Sequence, residues 1–524
     1  MIQVGPRECW NGPVKPQATL APLPPLSPST RTLPERIHLL GVGGAGLSGA
    51  ARLLVAAGHR ISGHDRSISD FTRALREIGL EVAIGKSRAG LLPEDAQLVA
   101  HTAALGGEDP QLVEARRRGL PIIKYAELLA LVCPAGRTLA TAGTHGKTTV
   151  SWMIYHALAG LAEAAAEERR GLPPKDKGPE HSSAELLPGA LIGGSCRLLG
   201  LNATAPGRRG WFAVEACEYD RSFLHLSPRG AAITNIEADH LDYYGSLAAI
   251  EKAFGRFSSG LGTDGLLVVG RDVPEVATDA AACPVWRLGR ELRVELLGQQ
   301  QGRFRFRLLG PGWATPPIGL HLPGAFQVEN AALALGLVIG LAAPELGVEP
   351  RLAAEACARA LARFRGVGRR FEPWGTAGGC EVIHDYAHHP TEVAAVVEAA
   401  RRALPGKPLH VLFQPHQHSR TARFMDEFVE SLRGVDRVVV ADIYGARTVI
   451  DAAGHSMDGV TDLVARLTRA GVEAVAGGPP SASSRVLANG LPAESAALVL
   501  GAGDIDGIKD ELLHDLALRG APRS

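Results

Sequence analysis

Short apolar runs that end in glycine turns and then pass into helical patterns recur along this chain. Arg36-Ile-His-Leu-Leu runs into Gly41, Gly43 and Gly46, and residues 47–57 follow with helical spacing. A second apolar stretch, 59–63, ends at Asp65, and a third, 97–100, precedes His101-Thr-Ala-Ala104. Leu139 and Ala140 lead into Gly143 and Gly146, after which Trp152, Met153, Ile154 and Leu158 mark a helix. Farther on, the strands Leu409–Phe413, 437–442 and Ala496–Leu500 alternate with amphipathic helices. His389-Pro-Thr-Glu392 reads as a helix start, and Val393, Val396, Val397 and Ala400 then form one apolar face. The alternation predicts an α/β protein built on largely parallel sheets.

Two stretches fall outside the pattern. Residues 1–34 are rich in Pro, Ser and Thr without periodicity and read as a disordered extension. Residues 163–188 are charged and proline-rich and read as an inserted, solvated loop. The remaining chain divides into units at 35–136, 137–366 and 367–524. A length of 524 residues calls for two to four domains in any case.

Charge removes one class of function: with 55 basic and 55 acidic residues there is no excess to hold nucleic acid as a polyanion. Seven scattered cysteines, odd in number and without C-x-x-C, point to a reducing compartment rather than a zinc or disulfide framework. No stretch is expected to reach membrane-span length and the N-terminus lacks a signal-peptide core, so a cytoplasmic protein without a membrane partner is predicted.

Candidate chemistry sits where strands end. Gly143, Gly146, Lys147 and Thr148 between strand and helix make a phosphate-binding loop: backbone N–H groups face phosphate oxygens, Lys147 reaches the terminal phosphates, and Thr148 can ligate Mg²⁺. Thr141 occupies the first glycine position of that pattern, and a structural turn is the alternative. Gly41, Gly43 and Gly46 form G-x-G-x-x-G in strand–turn–helix context, with Asp65 near the distance of a ribose-binding carboxylate. Glu215, Glu218 and Asp220 end one apolar run, and Glu237, Asp239 and His240 end the next. Beside a phosphate loop these are candidates for Mg²⁺ and nucleotide, with strand-end caps as the alternative. The third unit gathers polar residues after its strands, in 384–389, 414–420, 442–447 and 501–504. Its histidines lack acidic or thiol partners at recognised ligand spacing, which argues against a metal site there.

The string Gly-Thr-His-Gly-Lys-Thr-Thr resembles the loop of the Mur ligases, the ATP-dependent amide-forming enzymes of peptidoglycan synthesis. The resemblance extends in family order from Arg36 to the C-terminus, through Arg369-Arg-Phe, Asp-Tyr-x-His-His-Pro-Thr-Glu, Gln-Pro-His-x-x-Ser-Arg-Thr and Gly-Ala-Gly-Asp. It implies a Rossmann-like UDP-binding domain, a central P-loop ATPase-like domain with a mainly parallel sheet, and a C-terminal Rossmann-like domain for the amino acid. Gly41, Gly43, Gly44, Ala45, Gly46, Ser48, Asp65, His101 and Thr102 would hold the UDP-sugar. Gly143, Thr144, His145, Gly146, Lys147, Thr148, Thr149, Asn330, Arg370 and Asp385 would hold ATP. Thr148, Glu215 and His240 would hold two Mg²⁺ ions, and Lys147, Glu215, His240, Asp385, His388 and Arg420 would be catalytic. The implied reaction joins L-alanine to UDP-N-acetylmuramate through an acyl phosphate in a monomer or homodimer, the third domain closing over the other two. Departures from the family pattern are Phe326 and Gln327 on the adenine side, Ala387 and Gln417. The rivals are a recycling ligase that attaches a ready-made peptide, a non-catalytic nucleotide-binding relative and an NAD dehydrogenase. The direct run from Glu215 into His225-Leu-Ser-Pro, without a longer insertion, favours alanine over peptide.

Overall fold

The computed structural model describes residues 33–171, 183–445 and 459–520. Most of the predicted N-terminal extension and residues 172–182 of the predicted insert lie outside them.

The first unit is a five-stranded parallel sheet in the order Glu81–Ile84, Arg60–Asp65, Arg36–Leu40, Leu98–His101, Ile122–Lys124. The strand order reverses beside Arg36–Leu40, and this switch point opens a crevice at the strands' carboxyl ends. Gly41 sits there with φ +85°, and a Cβ on it would come 2.5 Å from Thr102 Cγ2, so glycine is required on both counts.

The central sheet has seven strands, with Thr138–Ala142 between Gly230–Ile233 and Phe212–Glu215, both parallel to it. The helix after the phosphate loop spans Lys147–Gly171. This corrects the loop expected from 163: Ala164, Ala165 and Ala166 are buried, and their small side chains let the helix lie against the core. The central unit also carries a four-stranded antiparallel sheet from Arg293–Gln300, Arg303–Gly310, Trp313–Ala314 and Ile318–Pro323, which the α/β reading did not include. A second correction concerns length. The helical run Phe326–Leu346 is long and apolar enough to cross a membrane, but 83% of its most apolar window is buried inside the protein. It is a core helix, apolar because protein surrounds it.

The third unit has a six-stranded sheet, parallel except at its Glu372–Ala377 edge. Its two faces carry separate apolar clusters, around Phe413 and Phe428 on one side and Leu412 and Leu512 on the other. The first two units instead share one continuous core, from Leu39 and Leu54 through Phe212 to Phe254. They are thereby fused, whereas several of the third unit's contacts with the central loops are polar, as described next.

Candidate active site

The buried strand Thr138–Ala142 delivers its carboxyl end to the middle of the central sheet, where Gly143 (φ +131°) and Gly146 (φ +84°) take backbone conformations that favour glycine. A Cβ on Gly146 would lie 2.9 Å from Asn330 Oδ1, and Asn330 donates in turn to Gln327 Oε1 at 3.2 Å. The loop is braced from the neighbouring strand end. Thr144 N–H donates to the Asn235 carbonyl at 2.9 Å, His145 N–H to Asn235 Oδ1 at 2.9 Å, and Thr234 Oγ1 to the His145 carbonyl at 2.6 Å. Thr148 and Thr149 open the following helix.

Lys147 Nζ donates to the carbonyls of Gly143 (2.6 Å) and Thr144 (2.9 Å) and lies 3.0 Å from Glu218 Oε2. Burial disfavours its charge, but the nearby Glu218 carboxylate outweighs this and holds the ammonium above the ordinary lysine range. The loop thus carries a fixed cation. Glu215, opposite Thr141 in register, accepts from Gly193 N–H at 2.9 Å through Oε2. His240 follows the other flanking strand in a left-handed conformation (φ 51°), its ring 4.9 Å from that of Tyr219. Thr148 and Glu215 offer oxygens that suit Mg²⁺ completed by phosphate oxygens, and His240 adds an imidazole at the other strand end.

The third unit reaches this site through its strand-end loops. Arg420 Nη2 donates to Asp239 Oδ1 at 2.6 Å, both groups nearly buried. Burial disfavours the Asp239 carboxylate, yet Arg420 and His240 hold it well below the usual range. Thr391 Oγ1 donates to Glu237 Oε2 at 2.7 Å, and His145 Nδ1 lies 3.3 Å from Glu392 Oε1. Arg370 Nη1 also meets Glu392, at 3.3 Å, and Asp385 at 4.0 Å. Asp385 accepts from Phe371 N–H (2.7 Å) and Ala387 N–H (2.8 Å), and burial above all raises its carboxyl to about 6. His388 is pushed by burial down to about 4 and is neutral at physiological pH. Its Nδ1 lies 3.0 Å from the Tyr386 carbonyl, a geometry that puts the proton on Nδ1 and leaves Nε2 as an acceptor. The neighbouring His384 instead enters the core, stacked on Trp374 at 4.7 Å.

His145 carries a pH-dependent link. Burial opposes its charge, but Glu237 and Glu392 raise it to about 9. A folded-state value above the unfolded one contributes stability below roughly pH 6.5 that is lost as pH rises through the folded value. The thermal midpoint is therefore expected to fall between pH 6.5 and about 9, and His145→Gln to flatten that segment in scanning calorimetry.

In the first unit, Gly43 N–H donates to Asp65 Oδ2 at 2.8 Å, so this carboxylate shapes the glycine turn itself. The carbon of a Cβ on Gly46 would strike the Tyr125 ring at 2.5 Å, and His101 Nδ1 lies 2.9 Å from the Thr102 carbonyl. Gly44 caps the helix that begins at Ala45. Ser48 is fully buried, donates to the Ala45 carbonyl at 2.9 Å and contacts Asn202 Nδ2 at 3.1 Å. Its hydroxyl closes the seam with the central unit. Phe326, half-buried, packs against the third unit's core.

Sequence reasoning missed the pairing roles of Glu218, Glu237 and Glu392. The first two stood within the acidic strings already singled out. Glu392 was read as a first-turn helix acid, which it is, in Pro390–Ala403.

Family models for the Mur ligase family catalytic domain, the Mur ligase middle domain and the Mur ligase glutamate ligase domain match residues 36–135, 203–338 and 369–503. A UDP-N-acetylmuramate--L-alanine ligase from Rubrobacter xylanophilus is 37% identical over 492 residues, covering 92% of this chain and 100% of that protein. Among solved structures, the UDP-N-acetylmuramate-alanine ligase of Thermotoga maritima matches with TM-score 0.72 and 24% identity over 91% of this chain and 98% of that one. A murein peptide ligase from Psychrobacter arcticus matches with TM-score 0.66 and 21% identity, covering 92% and 99%.

Proposed function

The chain belongs to the Mur ligase family, and from that premise we propose that it joins L-alanine to the lactyl carboxylate of UDP-N-acetylmuramate, converting ATP to ADP and phosphate. The observation that carries this reading is the seating of Arg420, Glu392 and Thr391 from the third unit against the loops that surround Lys147. Two substrates held by different units can meet only where those units face each other.

The chemical difficulty is that a carboxylate must attack a phosphoryl group that is itself anionic. Lys147 supplies a buried positive charge at the terminal phosphates, exchanging Glu218 and its two carbonyls for phosphate oxygens. Thr148, Glu215 and His240 would hold Mg²⁺, which neutralises phosphate charge when bound. Asn330 and Gln327 lie under Gly146 on the nucleotide side. The attack forms an acyl phosphate and releases ADP. The amine of alanine then attacks that carbonyl and phosphate leaves. Arg420 faces the amino-acid carboxylate, and neutral His388 accepts a hydrogen bond from the amine through Nε2. Asp385 holds the 369–371 segment, and with it Arg370, at the site. The glycine turn at 41–46, with Asp65, His101 and Thr102, receives the UDP-sugar. The polar contacts of the third unit allow it to part from the fused pair and close again, which admits substrates and then excludes water from the acyl phosphate. Dependence on ATP and a UDP-sugar favours the cytoplasm as the compartment of the reaction.

The test is incubation of the protein with Mg·ATP and UDP-N-acetylmuramate, with and without L-alanine, following phosphate release and product mass. Release that depends on alanine, with a product heavier by one alanyl residue, supports the reading. Turnover with a tripeptide but not with alanine would make it a recycling ligase. Nucleotide binding without turnover on any acceptor would leave a binding protein.

A further inference from the structure

His145, Glu237 and His389 come from three separate segments: the phosphate loop, the loop after Gly230–Ile233, and the residue that caps Pro390–Ala403. Their ligand atoms all lie within 4.8 Å of one another. Glu237 Oε2 is 3.5 Å from His145 Nε2 and 4.0 Å from His389 Nδ1, both too long for good hydrogen bonds. His389 is only 5% exposed, and among the described residues neither of its ring nitrogens has a hydrogen-bond partner. His145 Nε2 is likewise buried without one among the described residues. Unsatisfied buried nitrogens are costly, and their convergence on one carboxylate calls for a physical explanation.

We propose that these three residues form a site for a borderline divalent transition metal ion of the zinc class, bridging the phosphate loop and the third unit. Two imidazoles and a carboxylate are the donors such ions take, whereas Mg²⁺ prefers a shell mostly of oxygen. Donors around one such ion stand about 3.3 Å apart, from metal–ligand bonds of roughly 2.0–2.1 Å. The observed spacings require side-chain movements of an ångström or so.

The surrounding groups are arranged as supports for metal ligands. Glu392 Oε1, 3.3 Å from His145 Nδ1, keeps a proton on Nδ1, so that an ion takes Nε2 in place of the imidazolium's other proton. Thr391 Oγ1 donates to Glu237 Oε2 at 2.7 Å and fixes that carboxylate. The Phe424 ring stands edge-on to His389 at 4.9 Å and holds the imidazole in place. Because its ligands span the polar joint, a bound ion would tie the third unit to the phosphate loop. The site is separate from Thr148, Glu215 and His240.

Co²⁺ is the probe, because its visible d–d absorption is intense when it has four or five ligands, two of them imidazole. The full chain, stripped with a chelator, is titrated with Co²⁺ in excess Mg²⁺. One equivalent is expected to bind with such a band. His389→Gln and Glu237→Gln should each weaken binding at least about tenfold, and Glu215→Gln should leave it unchanged. No band at saturating Co²⁺ would overturn the proposal. So would a band lost in Glu215→Gln but kept in the other two variants, which would put the ion beside the nucleotide loop. A sulfur-to-cobalt charge-transfer band would overturn it as well. Circular dichroism checks folding, and if His389→Gln does not fold, the partly exposed Glu237 decides the question alone.

Discussion

Lys147→Ala is expected to lower kcat for phosphate release by about 10³-fold, the order seen when a charge-stabilising group is removed from a site of this kind. The substitution also leaves Glu218 buried without its cation, since Glu218 is 3% exposed and Lys147 Nζ lies 3.0 Å from it. Breaking one side of a buried pair costs about 3–5 kcal/mol of stability. Loss of activity by Lys147→Ala alone would therefore be ambiguous between chemistry and folding. The double substitution with Glu218→Gln separates them. It should recover most of the unfolding free energy measured in urea while phosphate release stays at the level of the single variant. Recovery of activity along with stability would show that Lys147 acts by holding the loop together and not on the phosphates.

The second large effect is expected at Arg420. Arg420→Ala strands the Asp239 carboxylate, which Arg420 meets at 2.6 Å with both side chains about nine-tenths buried. The loss should again be about 3–5 kcal/mol, but concentrated in the contact of the third unit with the central loops. Hydrogen exchange should rise in the loop around Asp239 and in 416–420 while the four sheets stay protected. Turnover with alanine should drop by at least about 10²-fold. Arg420→Ala combined with Asp239→Asn is expected to restore protection at the joint but not turnover, because the cation facing the amino-acid carboxylate is still missing. If the double variant turns over normally, Arg420 is only a fastener between units.

Features set by neighbours in the chain were legible without coordinates. The strands Leu409–Phe413 and Ala496–Leu500 occur where their apolar runs predict them. The glycine turns at 41–46 and 143–146 also occur as read, because the backbone conformations at Gly41, Gly143 and Gly146 favour glycine. Some local signals were legible and overlooked. Phe304, Phe306 and Leu308 alternate with exposed or half-buried residues in Arg303–Gly310, the period of a sheet with one face covered. In Lys147–Gly171 the charged end obscured an alanine run that only a neighbouring surface could bury. Ser48 follows a turn that resembles a ligand-binding one, but nothing near it in the chain could reveal that Asn202 takes up its hydroxyl.

By itself the sequence determined the order of strands and helices, the phosphate loop and the strand ends at which charged and imidazole groups collect. These follow from short-range sterics and periodic burial, which act over a few residues. Tertiary structure alone decided which polar and charged groups meet. Lys147 pairs with Glu218 across 71 positions, Thr391 with Glu237 across 154, and Arg420 with Asp239 across 181. An ion pair requires only that two side chains be brought within a few ångströms and shielded from water. No local pattern encodes that. It is fixed by how the fused first and central units present their loops to the third.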